Sequence, residues 1–483
     1  MIKKSFPGML FLFFLIFFFQ SSTYNYETLD WDVNAFLVTS LELGRGNLPF
    51  ETQYDNKPPL LFAIFYFFTI VANKNLLIIK ILNDLIIFLI SVQSIYLFKK
   101  RGTRPDIFSF VPSVVFILVT SNVWFHPSYS EFISLFCISS SYLIYKRSEN
   151  RSKFLIIGLL LSASSLINLG TSLFLICFVV ILLLYENNKY KKIFNLLIGF
   201  GIIHLILLGI YAVNGSLSDY LMAMVQIPLS YGVTEFSLFS SLTIFLTSFI
   251  KYNLLIYTLI LFSISLSIHI ILKMVRENKL MFENSELIFL IFFGLMFFNL
   301  AGKGYYHHLI FLLYFLSLSF IFLRDTIINK GIVVFFILVI TGFTISEFTE
   351  YSLNNIKNFL TLEEEYPIKK VSNEIILHNY KYDEIFSTNH ILLLYYLDKP
   401  NTSYVVHPAL YDYEEITSVL IENNKIKDNE IVFQLDRLPQ IYEGNDLETT
   451  DNSNYYKIEL PEINNSLLNY WTKDNNVFLF IKR

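Results

Sequence analysis

Residues 29–72 read LDWDVNAFLVTSLELGRGNLPFETQYDNKPPLLFAIFYFFTIVA, and the last part of that stretch decides the fold. Pro58–Ala72 is an apolar run of about 15 residues, short for a bilayer core that takes about 20 helical residues to cross. If the run spans, every later segment is inverted. If it lies at the interface, the basic clusters fall into step. Six polar breaks carry clustered Lys or Arg: Lys3-Lys4, Lys99–Arg104, Lys146–Lys153, Lys189–Lys192, Lys273–Lys279 and Arg324–Lys330. All six face the cytoplasm only when Pro58–Ala72 does not span. The parity predicts an interfacial or re-entrant helix there. It also predicts about eleven spans, near 9–22, 76–98, 107–124, 131–145, 154–168, 170–185, 193–213, 253–274, 287–300, 309–323 and 332–347. The N-terminus is then cytoplasmic and the C-terminus outside. Phe236–Ile250 reads as a second interfacial segment.

Composition agrees. Apolar residues make up 54% of 483, with 50 Phe, and mean hydropathy is +0.52, values that exclude an ordinary soluble protein and fit a mainly α, polytopic one. A net charge of −4 decides little, because the side on which charges lie matters more than their sum. Cys137 and Cys177 both sit in apolar runs, so neither a disulfide framework nor a cysteine metal site is indicated. The first segment, with Lys3-Lys4 before its apolar run, reads as an uncleaved helix; either as helix or as cleaved signal it leaves Asp32 outside the cytoplasm. Val33, Phe36, Leu37 and Leu41 recur at helical spacing, which predicts an amphipathic helix over Val33–Arg45 on the membrane surface, stopped by Gly44 and Gly46. After residue 350 the chain turns polar. Runs such as EIFSTN, TSYVV, EIVFQL, YYKIEL and NVFLFIK alternate with helical stretches such as Tyr413–Asn423. The expected division is a membrane domain over 1–350 and a small α/β domain over 351–483, on the outer face.

On this topology the loops holding Asp32, Lys57, Glu131 and His307 open on the same outer side, although none of them entered the parity argument. Each has an ordinary reading as well as a chemical one. Asp32 precedes a helix and is placed to cap it, while a carboxylate held beside lipid usually marks function. Asp30 reads as loop solvation or as support. Lys57 is placed to snorkel from the start of the Pro58–Ala72 helix, or to hold an anionic phosphate as a point charge. Glu131 opens a span where a carboxylate meets the helix dipole favourably. In Gly302-Lys303-Gly304-Tyr305-Tyr306-His307-His308 the tyrosines suit an aromatic belt, and Lys303 with the paired histidines suits anion binding.

Taken together, Asp32, Gly46-Asn47-Leu48-Pro49-Phe50 and Asp55-Asn56-Lys57-Pro58-Pro59-Leu60 resemble the opening of the GT-C glycosyltransferases, the membrane enzymes that include protein mannosyltransferases and the lipid A aminoarabinose transferase. Glu131 in SYSEF is similar to the family's second acidic position, and Gly302–His308 to its late histidine element. The likeness covers roughly residues 5–350. The chain departs from the pattern at Val33, where the family commonly has Glu, at Asn168 in place of Lys, and at His308 in place of Tyr.

What the resemblance implies is transfer of a sugar from a polyprenyl-phosphate carrier to a lipid, glycan or protein acceptor on the outer side of the plasma (inner) membrane, with no nucleic-acid partner. Asp32 and Glu131 would be catalytic, Asp32 taking the acceptor hydroxyl's proton. Lys57, Lys303, Tyr306, His307 and His308 would hold the donor phosphate, supported by Asp30, Tyr54 and Asp55. The resemblance fixes no cofactor, and it leaves a divalent metal ion open. Two other classes fit the chain less well. A polymerase or ligase using lipid-linked sugars would place functional Arg or His in a large late outer loop, yet Asn214–Asn253 has neither. A transporter or flippase would show repeated halves and mid-membrane ionisable groups, and neither is visible.

Overall fold

The computed structural model describes residues 2–24, 26–27, 31–99, 105–121, 125–150, 152–234, 285–300, 305–323, 352–377, 385–386, 391–401, 404–407, 410, 413–426, 455–460 and 477–482. The expected spans at 253–274 and 332–347, the segment Phe236–Ile250, and the run EIVFQL lie outside them, as do Asp30 and Lys303.

The described chain is mainly α. Its first nine helices are α1 (Ile2–Gln20), α2 (Trp31–Gly44), α3 (Pro59–Ala72), α4 (Leu76–Phe98), α5 (Val111–Val119), α6 (Ser130–Arg147), α7 (Lys153–Ser165), α8 (Leu173–Tyr185) and α9 (Lys189–Val213). Among the described residues, α4 and α9 are the helices long and apolar enough to cross a membrane; α1, α3, α5, α7, α8 and two later helices are shorter apolar ones. Contacts divide the chain into two units. One holds Met1–Ser22, Ile81–Ile206 and Glu235–Ile356; the other holds Thr23–Lys80, Leu207–Thr234 and Lys357–Arg483. Both units are discontinuous, and the last crossing of the chain between them falls between Ile356 and Lys357. The tail, however, shares its unit with the loop and helices of 23–80, an association between distant segments that no local pattern announces.

In the first unit, helices begin and end where the sequence supplies polar punctuation. Asp106 and Ser109 form a reciprocal capping box, with Asp106 Oδ1 accepting from Ser109 N at 2.9 Å. Helix α6 stops at Lys146-Arg147, and Lys146 pairs with the buried Glu286. The helices Glu286–Leu300 and Ile310–Leu318 bring Phe297, Phe311 and Tyr314 into a core with Phe116, Phe132 and Phe174. Close approach is set by glycine. A Cβ on Gly158 of α7 would stand 2.1 Å from the Leu196 carbonyl of α9, and one on Gly199 would stand 2.1 Å from the Leu155 carbonyl. Small residues at such crossings are the usual currency of helix packing in lipid. Hydroxyls add polar glue: Gln93 Nε2 of α4 donates to Ser140 Oγ of α6 at 2.7 Å.

In the second unit, α2 packs on α3 through Phe36 and Phe65, ring centroids 5.5 Å apart. Here the structure corrects the expected surface helix: every residue from Val33 to Glu42, polar or apolar, is buried. The reason lies in Glu42. Its carboxylate accepts from Asn47 Nδ2 at 2.8 Å and from Thr52 Oγ1 at 2.6 Å, and pairs with Arg45. A carboxylate satisfied by its own following loop does not need water.

Helix α3 starts from Pro58-Pro59 and ends on Asn73, whose positive φ of 49° forms the cap. It buries Leu61, Phe62 and Phe65 while exposing Phe67, Ile70 and Val71. The tail contributes helices Pro367–Leu377, Leu392–Leu397 and Glu414–Glu422 and an antiparallel sheet in the order β1 (Ile385–Phe386), β3 (Val477–Lys482), β2 (Tyr455–Leu460). Tyr456 and Ile385 both pair with Ile481. Buried Glu27 caps the first of those helices, accepting from Ile368 N at 2.6 Å and Lys369 N at 2.9 Å.

Candidate functional site

Three chain segments of the second unit build the first polar cluster. Asp32 lies in the opening turn of α2, where the partial positive charge of unsatisfied N–H groups favours a carboxylate. Lys57 ends the loop before α3. The third segment comes from the tail. Tyr54 pairs in parallel with Val405, Tyr54 N donating to Tyr404 O at 2.6 Å and Val406 N to Tyr54 O at 2.9 Å. The next residue, His407, is thereby delivered to Asp32.

His407 Nε2 stands 2.7 Å from Asp32 Oδ1, and Lys57 Nζ stands 3.7 Å from Asp32 Oδ2. The first contact is a hydrogen bond with Nε2–H donating to the carboxylate; the second is an ion pair longer than a hydrogen bond. The Lys57 ammonium also lies 5.9 Å from the centre of the Phe36 ring. The side chains of Asp32, Lys57 and His407 keep 24%, 13% and 10% of their surface exposed, so the cluster is open to a ligand without being solvated like a surface patch.

Asp55 sets the backbone of this loop. Its Oδ1 accepts from Lys57 N at 3.1 Å, a side-chain turn that aims the lysine. Full burial pushes its pKa up to about 6, and the Asp32 charge adds to the rise; His407 and Lys57 oppose it. Tyr54 stacks on Tyr404 with centroids 6.2 Å apart, and the Tyr404 hydroxyl donates to Phe50 O at 2.6 Å. Phe50 itself holds φ at +76°, so this donor steadies a strained corner.

The first unit carries a second cluster, made of Glu131 at the start of α6 and of His307 and His308 just before the helix Ile310–Leu318. Glu131 is 1% exposed. Its Oε1 accepts from Asn168 Nδ2 at 2.9 Å, its Oε2 accepts from Ser130 Oγ at 3.2 Å, and His308 Nε2 lies 3.6 Å from Oε1. Tyr129 stacks on the His307 ring at 4.3 Å. Tyr306 is half-buried beside the pair.

The residues expected to act together therefore fall into two sets. Asp32, Lys57, Tyr54 and Asp55 come together in one unit; Glu131, Tyr306, His307 and His308 belong to the other. The imidazole at Asp32 is His407, which sequence reasoning missed. Its only signal is local, a histidine closing the strand-like TSYVV run before Pro408, and nothing in that run points to residue 32. Asn168, read only as a departure from the family's Lys, turns out to hold the Glu131 carboxylate. Compared with protein-family models and with curated proteins, the chain matches none.

Proposed function

We propose that this chain is an integral-membrane glycosyltransferase of the GT-C kind. It moves a sugar from a polyprenyl-phosphate carrier to a lipid, glycan or protein acceptor on the extracytoplasmic side of the plasma membrane. The observation that carries the reading is the convergence of Asp32, Lys57 and His407: a carboxylate, an ammonium and an imidazole drawn from separate segments into one partly open cluster. Membrane residence is supported by α9, only 17% of whose most apolar stretch is buried, and by the exposed Phe194, Leu205 and Ile206 along it. A soluble protein would cover such a face.

In this reading Asp32 removes the acceptor hydroxyl's proton as that oxygen bonds to the sugar's anomeric carbon. The bond from that carbon to the carrier's phosphate oxygen breaks, and its electron pair leaves on the phosphate. Lys57 offsets the growing negative charge, a contribution of about 10²–10³ in rate for a comparable donor in other enzymes. His407 holds the Asp32 carboxylate in one orientation through Nε2–H. The N-terminus is cytoplasmic and the tail after residue 350 is outside.

The test is to compare lipid-linked sugars and surface glycans of cells with and without the gene. The reading expects one polyprenyl-phosphate sugar to accumulate when the gene is absent and one surface glycan to lose that sugar. Identical lipid and glycan profiles would remove it.

A further inference from the structure

We propose that Glu131, His307 and His308 form a binding site for a divalent transition-metal ion of the zinc class. The proposal stands on the first unit alone and does not depend on the sugar-transfer reading. Each of the three residues offers one donor atom, and the three atoms lie within 4.8 Å of one another. In a tetrahedral zinc site, with ligand bonds of about 2.0–2.2 Å, donors sit about 3.4 Å apart. The His308 Nε2–Glu131 Oε1 separation of 3.6 Å is already near that value. It is longer than a hydrogen bond and within ion-pair range, a spacing that two ligands of one ion also adopt.

The surroundings hold the donors as metal ligands are usually held. Asn168 Nδ2 and Ser130 Oγ each donate to a different oxygen of Glu131, which fixes the plane of the carboxylate. Asn168 is itself fixed, its Oδ1 accepting from Gly170 N at 3.2 Å. Tyr129 stacks on His307, and Phe297 sets its edge to His308 with centroids 5.7 Å apart, so both imidazole planes are gripped. All three ligands are buried, with exposures of 1%, 9% and 8%. Two nitrogens and one carboxylate oxygen select against magnesium and calcium, which take oxygen ligands, and match the two-histidine-one-carboxylate set of zinc enzymes. Three protein ligands leave one position open, to water or to an anionic oxygen.

The experiment uses the full chain in detergent, prepared without a histidine tag, loaded with Zn²⁺ and passed into metal-free buffer. Bound zinc is counted by elemental analysis, affinity is measured by calorimetry, and the ligand shell is read by X-ray absorption. The expected result is about one ion per chain with two imidazole ligands. Glu131→Gln and His308→Asn should lose that ion, Asn168→Ala should bind about 10–100-fold more weakly, and His407→Ala should bind normally. A wild-type chain that retains no zinc, or whose zinc shell lacks two imidazoles, overturns the proposal. So does undiminished binding by Glu131→Gln and His308→Asn. The wild-type absorption spectrum decides the matter even where a variant fails to fold.

Discussion

The two polar clusters differ in what balances their carboxylates. At Asp32 the partners are a fixed cation, Lys57, and an imidazole, His407, and all three keep part of their surface exposed. At Glu131 the partners are neutral donors, Asn168 and Ser130, together with two histidines stacked among aromatic rings, and the carboxylate is sealed. A permanent charge beside a reachable carboxylate suits proton transfer and anion neutralisation. An enclosed carboxylate with two gripped imidazoles suits an ion. The lesson is that acidic residues with similar sequence surroundings, each at a helix start, take on different chemistry from the partners that distant segments bring.

The comparison breaks most visibly at Asp32. Asp32→Asn should lower sugar transfer by about 10²–10⁴ while leaving membrane insertion and bound zinc unchanged. Full turnover by that variant, measured in membranes matched for protein, would erase the distinction between the clusters. Lys57→Met comes next, with an expected loss of about 10²–10³ in kcat; an effect confined to KM would assign Lys57 to ground-state binding instead.

A smaller effect sharpens the contrast in packing. Gly158→Val should lower stability by roughly 1–3 kcal/mol, because the added atoms meet the Leu196 carbonyl. An unchanged unfolding temperature would mean that the α7–α9 crossing is not this close.

The smallest effect concerns pH. Burial raises Asp55 from 3.8 to about 6, so the folded state holds that proton more tightly than the unfolded chain does. Its contribution to stability is full below about pH 4 and is lost as the pH rises through about 6. Asp55→Asn should flatten that decline, read as the difference in unfolding temperature between pH 5 and pH 7. A decline of the same size in the variant would assign it elsewhere, for instance to Glu27, which burial raises to about 7 and which follows the same sign.

Much of the helical framework was legible. Apolar runs bounded by basic residues predicted the helix at 76–98 within a residue, and Glu414–Glu422 falls inside the stretch read as helical. The partnership of Asp32 with Lys57 was legible too, since both sit in one short stretch. His407 was not, because it lies 375 residues from Asp32 and arrives through backbone pairing at Tyr54 and Val405, which leaves no mark on side-chain pattern. The burial of α2 was hidden for a related reason. Periodicity shows that Asn34, Thr39 and Glu42 share the helix with apolar residues, but not that Asn47 and Thr52 will satisfy Glu42 away from water.

The most direct measurement of the central claim is complementation. Cells lacking the gene receive either the wild-type chain or Asp32→Asn at equal membrane abundance, and the polyprenyl-phosphate sugar pool is quantified. Wild type should clear the accumulated donor, and Asp32→Asn should leave it in place. Equal clearance by both chains, or no accumulation to clear, would contradict that claim.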